Sequence, residues 1–221
     1  MGDNVLIMLV DDWKTSASDI PEGCSNGVCI KKKKVDKGTL WSMKEDERGV
    51  FGYDKVLFTE STTITGLEEW MEDEWQVWMT DSPREYYSMW ELVARTKPGK
   101  VLVGGLGLGV LANLLSLRND IDDITVVEIS ESVIDLVGDY VNPKVKIIND
   151  DIFKVVSELA SEGNCPDTII LDIYKGTEDV DDVAIDIESI KDYCSTSNVI
   201  AWKFTPEIET NEALSCLAKG V

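Results

Sequence analysis

The chain has 221 residues, room for one substantial domain plus a small module, and 43% apolar against 29% charged residues is a folding composition. Asp and Glu number 42 against 21 Lys and Arg, a net charge of -21. A field of that sign repels phosphate backbones and anionic lipid, which argues against nucleic-acid binding.

The absence of His removes whole chemistries. A Ser-His-Asp triad, a Cys-His pair and an imidazole zinc site are excluded, no metal site is expected, and any general base must be Asp, Glu, Lys, Tyr or Cys. No apolar run reaches the roughly 18 residues of a membrane span. The stretch 1–13 lacks the basic lead and small-residue cleavage site of a signal peptide, and Leu6 stands where a myristoylation pattern needs Ser or Thr. The five cysteines, at positions 24, 29, 165, 194 and 216, are odd in number. The spacing of Cys24 and Cys29 is too wide for a C-x-x-C motif. All five are expected as reduced thiols in a cytoplasmic protein.

In chain order, β-rich runs bounded by polar clusters predict strands at Val5–Val10, Val28–Lys34, Lys55–Thr59 and Trp75–Met79. Lys31–Lys34 reads as an edge strand protected by lysines, being too short a basic run for nucleic acid. The aromatics Trp70, Trp75, Trp78, Tyr86, Tyr87 and Trp90 read first as an interface between modules and second as pocket wall. Ser82-Pro-Arg-Glu85 predicts a helix start with Ser at the N-cap and Glu at N3, and Lys97-Pro-Gly99 stops that helix.

Beyond residue 98 strands and amphipathic helices alternate. Strands are predicted at Lys100–Gly104, Ile124–Glu128, Val145–Ile148, Asp167–Leu171 and Val199–Phe204. Helices are predicted at Gly107–Leu117, Glu131–Tyr140, Ile152–Leu159, around Val183–Cys194 and at Glu207–Ala218. The fold class is therefore α/β: a Rossmann-like, mostly parallel sheet with helices on both faces, preceded by a small β-rich module. The expected division is residues 1–80 and 81–221.

The turn after the first of these strands, Gly104-Gly-Leu-Gly-Leu-Gly109, carries G-x-G-x-G at Gly105, Gly107 and Gly109. Such glycines let a nucleoside ligand approach the backbone, and the following helix N-terminus favours a carboxylate tail. A tight strand-to-helix turn without a ligand uses the same residues. Glu128 at the tip of the second strand lies at the spacing of an acidic residue that accepts from ribose hydroxyls, with Ile129 after it; Ser130 is the better N-cap for the next helix. At the third strand tip Asp150 can accept from an exocyclic amine. The Asp151 N–H can donate to a ring nitrogen while its side chain caps the following helix, and Ile152 can pack on the ring. Asp172, at the tip of the fourth strand, falls at the switch point where the reacting group belongs. It reads as a general base or an orienting group, with Tyr174 and Lys175 as lesser candidates. The alternative is a strand-end Asp that fixes the next loop. The acidic stretch 178–188 either draws in a cationic substrate or forms a solvated helix start, and the second reading is preferred.

The run Trp75–Tyr174 resembles the S-adenosylmethionine-binding domain of the spermidine synthase-like branch of class I methyltransferases. Gly104–Gly109 stands where aminopropyltransferases read G-G-G-D-G-G. Val127-Glu-Ile-Ser130 matches their V-E-I-D, Asn149-Asp-Asp151 their G-D-G, and Met79–Tyr87 is similar to their L-T-E-R-D-E-F-S-Y-H-E. Three departures stand out. Gly107 replaces the acidic residue of the glycine loop, only Asp172 persists from T-D-S-S-D-P, and the His is missing. The resemblance implies S-adenosylmethionine as cofactor on Gly104, Gly105, Leu106, Gly107, Gly109, Glu128, Ile129, Asp150, Asp151, Ile152 and Asp172, with Asp172 and Tyr174 at the reaction. The departures favour methyl transfer; the acceptor is open, with a small molecule or an amine preferred. Aminopropyl transfer is the alternative, and a non-catalytic protein keeping the fold is the third reading. The family often forms homodimers.

Overall fold

The structure, a computed structural model, describes residues 5–44, 52–174 and 180–202. Lys175, the acidic residues 178 and 179, the end of the fifth predicted strand at Phe204, the helix expected at Glu207–Ala218 and Cys216 lie outside these residues. Among the described residues no helix is long and apolar enough to cross a membrane.

The first part of the chain forms β1 (Ile7–Val10), a 3-10 turn (Ser16–Asp19), β2 (Gly23–Ser25), β3 (Val28–Val35), β4 (Leu40–Ser42), β5 (Lys55–Phe58), β6 (Thr62–Met71) and β7 (Glu74–Thr80). They make two sheets, β1-β5-β4 and β2-β3-β6-β7. The four predicted strands are all present. The sequence reading did not identify β2, β4 and β6, because Gly66 and Glu68-Glu69 break the apolar pattern of β6 and the other two have three residues each. Lys31–Lys34 lies on β3 beyond the reach of β2, which pairs only with Val28–Ile30. Lys32, however, turns inward: its Nζ donates to the carbonyls of Ala17 and Ser18 and to Thr65 Oγ1.

The expectation of reduced cysteines is overturned at four positions. Asn26 and Gly27, with φ of 43° and 86°, make the two-residue hairpin turn between β2 and β3, a conformation that suits an Asn-Gly pair. The turn sets Cys24 directly opposite Cys29, with Cα atoms 4.1 Å apart, and the two form a disulfide. A second disulfide joins Cys165 to Cys194, 29 residues on. Paired thiols are the habit of oxidising compartments, so the cysteines no longer support the cytoplasmic expectation.

The β7 strand leads into α1 (Pro83–Arg95), and then come β8 (Gly99–Gly104), α2 (Val110–Ser116), β9 (Ile121–Glu128), α3 (Glu131–Val137) and a 3-10 turn (Gly138–Tyr140). The chain continues through β10 (Val145–Asn149), α4 (Ile152–Ser161), β11 (Thr168–Leu171), α5 (Val180–Tyr193) and β12 (Asn198–Ala201). The five strands pair in parallel in the order β10-β9-β8-β11-β12, a Rossmann-like sheet. Alternate side chains of each strand serve opposite faces. Val101, Val103 and Val126 pack with residues of α1, α2 and α3, whereas Leu102, Val127 and Leu171 pack with α4 and α5. Ser130 and Asp151 cap α3 and α4 as predicted. The predicted capping box at Ser82 does not form, because Glu85 turns instead to the N–H and Oγ1 of Thr80.

The N-terminal strands are not set apart from this sheet. Ala17, Ile20, Val28, Ile30 and Leu67 belong to the same buried cluster as α1, α2 and α3. The junction is fastened by Asp81, which is fully buried. It accepts from Thr15 Oγ1 at 2.7 Å and from the Thr65 N–H at 2.6 Å, and its carbonyl accepts from Trp13 Nε1. Burial pushes its pKa up, against the pull of these hydrogen bonds and of Lys32. The aromatics divide by role. Tyr86 and Tyr87 pack around Trp13, Trp90 is buried, and Trp70 and Trp75 meet edge to face near the β6–β7 turn, half exposed.

Alkylation of the unfolded, unreduced chain should leave Cys24, Cys29, Cys165 and Cys194 unlabelled until a reductant is added, as peptide masses will show. The paired substitution Cys165→Ser and Cys194→Ser should cost roughly 3–4 kcal/mol in denaturant unfolding, the loop-closure scale for a bridge of this span.

Candidate functional site

The sheet order reverses at β8: β9 lies on one side and β11 on the other, so the loops leaving β8 and β11 diverge at their carboxyl ends. A cavity of about 490 Å³ opens there. Gly105, Gly107, Glu128, Ile129, Asp150, Asp151, Ile152, Asp172 and Tyr174 all line it. The other three predicted site residues, Gly104, Leu106 and Gly109, are not in its lining. Gly104 packs against Ile152, and Gly109 leaves room for Val141 and Val137.

The glycine turn is bare for reasons inside the chain. A side chain at Gly105, where φ is 93°, would strike the carbonyl oxygen of Asp172. At Gly107, where φ is 50°, it would occupy the space of the Met79 sulfur. The helix that follows begins at Val110, later than predicted, and has only seven residues.

Glu128 is 7% exposed and turns toward the glycine turn. One carboxylate oxygen accepts from the Leu106 N–H and the other from the Ser130 N–H, each at 2.8 Å. A carboxylate offers about four acceptor positions, so two bonds leave capacity for a ligand's hydroxyls. Asn149, which the sequence reading passed over as a functional residue, donates from Nδ2 to the carbonyls of Glu128 and Ile129 and binds the tips of β9 and β10 together.

At the β10 tip Asp150 pairs with Lys154 at 2.6 Å, one helical turn on, and accepts from the Asp151 N–H at 2.9 Å. These bonds hold the Asp150 carboxyl below the usual carboxylate range. The Asp151 N–H, predicted as a donor to a ring nitrogen, is thus directed at Asp150, while the Asp151 side chain accepts from the Phe153 N–H.

Asp172 leaves β11 with its N–H bonded to the Gly104 carbonyl. Among the described residues its carboxylate takes no hydrogen bond. Burial, and then the negative charge of Glu85, push its pKa up to about 7. Tyr174 donates to Asp186 at 2.9 Å. Part of the remaining wall comes from the β7 strand and the start of α1, through Val77, Trp78, Met79, Arg84 and Glu85. Of these, only Trp78 was singled out in the sequence as possible pocket wall. Five acidic residues, Glu85, Glu128, Asp150, Asp151 and Asp172, line the cavity together with Arg84. Among the described residues no group of three or more Cys, Asp or Glu is arranged to hold a metal ion.

No family model and no curated protein matches the chain. Solved structures do. A spermidine synthase from Thermotoga maritima aligns at 15% identity and a TM-score of 0.45, over 81% of this chain and 53% of that one. A spermidine synthase in complex with the transition-state analogue AdoDATO aligns at 15% identity and a TM-score of 0.45, over 91% and 63%. A SAM-dependent methyltransferase from Agrobacterium tumefaciens aligns at 18% identity and a TM-score of 0.36, over 49% and 36%. The chain spans less than two thirds of each of these proteins. The assignment of the fold rests on the strand order of this chain itself.

Glu128→Ala strands two backbone donors at once. The expected loss is roughly 2–4 kcal/mol, read as a lower denaturant midpoint at unchanged slope, with Glu128→Gln in between.

Proposed function

We propose that this chain is a transferase that takes an alkyl group from an S-adenosyl sulfonium and passes it to a small acceptor. The observation that carries this reading is the convergence, in one nucleoside-sized cavity at the strand-order reversal, of the glycine turn, Glu128, the β10 tip and Asp172. The residues fit such a ligand. Glu128 keeps acceptor capacity for the ribose, Val127, Ile129 and Ile152 offer apolar surface for the base, and Asp150 presents a carboxylate beside them.

When bound, the sulfonium supplies an already activated carbon, so the protein's share is mainly orientation. Asp172 is the group placed to take the acceptor's proton. A carboxyl with a pKa of about 7 is a far stronger base than an ordinary one, yet is half ionised at neutral pH. Two features bear on the group transferred. Gly107, standing where the resembled aminopropyltransferases carry an acid, favours methyl transfer. The five acidic residues of the wall favour a more cationic donor and an amine acceptor, and so aminopropyl transfer.

Titration calorimetry tests the reading: saturable binding of S-adenosylmethionine or its decarboxylated form is expected, weakened by Glu128→Ala. With an acceptor found by screening labelled donor, kcat/KM should rise through about pH 7 as Asp172 ionises. Asp172→Asn should abolish that limb and lower the rate by about 100-fold or more while leaving donor affinity in place. The same group gives a stability signature of opposite sense. Its folded pKa is raised, so stability falls as pH rises from about 4 to about 7, and Asp172→Asn should be the more stable protein at pH 8. An Asp172→Asn protein with unaltered activity contradicts the assignment.

A further inference from the structure

Leu108 stands inside the glycine turn but does not line the cavity, and it is only 1% exposed. Its N–H is directed at Met79. The Met79 sulfur accepts from the Leu108 N–H at 3.1 Å, and its side chain forms part of the cavity wall. Gly107 is bare where this thioether packs. A thioether is a weak acceptor, so one backbone donor of the turn is held by a group that satisfies it poorly. The β7 end that carries Met79 is itself pinned, since Glu85 accepts from both the N–H and the Oγ1 of Thr80. The Met side chain is flexible, but its anchor is not.

We infer that Met79 is a specificity-determining residue that sets which donor tail the cavity accepts. It holds the turn amide that a tail carboxylate would otherwise take, and so disfavours ligands carrying that carboxylate. The inference rests on the nucleoside reading of the site above. A carboxylate aimed at the Leu108 N–H must displace the sulfur, in a cavity whose wall also carries Glu85. A tail without the carboxylate leaves the Met79–Leu108 contact whole. The general acidity of the cavity also disfavours a carboxylate, but that effect does not pass through Met79, and substitution separates the two.

The test is binding of three ligands to the full chain: S-adenosylmethionine, its decarboxylated form, and methylthioadenosine, which has neither the carboxylate nor the amine. The parent protein should bind the decarboxylated form at least about tenfold more tightly than S-adenosylmethionine. Met79→Ala frees the amide and should narrow that ratio by about threefold or more, with methylthioadenosine affinity unchanged. Met79→Leu keeps the obstruction without the sulfur and should keep most of the parent ratio. Equal affinity of the parent for the two sulfonium ligands overturns the inference, even if Met79→Ala fails to fold. So does a Met79→Ala protein that shifts all three ligands equally or none. If methylthioadenosine binds while the ratio fails, only the role of Met79 falls. If none of the three binds, the nucleoside reading falls and takes this inference with it.

Discussion

The site depends on one carboxylate held between two backbone amides. Glu128, at the end of β9, accepts from Leu106 in the turn after β8 and from Ser130 at the start of α3. Charge-assisted bonds of this kind are stronger than neutral ones, and burial raises the cost of breaking them. Through them the glycine turn and the β9 tip become one rigid piece. Asn149 adds the β10 tip by reaching the carbonyls of Glu128 and Ile129. The cavity wall is therefore preorganised by the backbone of three strand ends.

Groups that shape the cavity also hold the fold. The absence of a side chain at Gly105 lets the β11 exit lie against the β8 exit, and that contact brings Asp172 to the switch point. Gly107 admits a sulfur from β7, so the N-terminal strands roof the same cavity the parallel sheet floors. Asp81 fastens that roof through Thr15 and Thr65 and does not itself line the cavity. Asp172 is the exception. Its carboxylate takes no hydrogen bond among the described residues and is held where a charge is costly, the feature that the proposed role as base draws on.

How much of this was legible in the sequence follows from the range of each interaction. The alternation after residue 98 reflects strands buried on both faces and helices with one apolar stripe, so the parallel sheet could be read from periodicity. The spacing from Gly109 to Glu128 and the caps at Ser130 and Asp151 were legible because they follow from element order and local chemistry. The Cys24–Cys29 pairing was encoded in the Asn-Gly turn between them, but weighing the cysteines by spacing alone hid it. The contact of Met79 with Leu108 spans 29 residues and joins the end of β7 to the glycine turn across α1 and β8, so no local pattern could show it. Likewise Glu85 was read as a capping residue, and only the fold shows it lining the cavity and raising the pKa of Asp172.

The central claim is that one clasped wall of strand tips receives an adenosine-type ligand. Hydrogen–deuterium exchange, recorded with and without saturating S-adenosylmethionine or its decarboxylated form, tests it most directly. Slower exchange confined to residues 104–109, 127–130 and 149–153 and to the end of β7 is the result this account requires. Exchange that is unchanged in those segments, or protection that appears elsewhere on the chain, contradicts it.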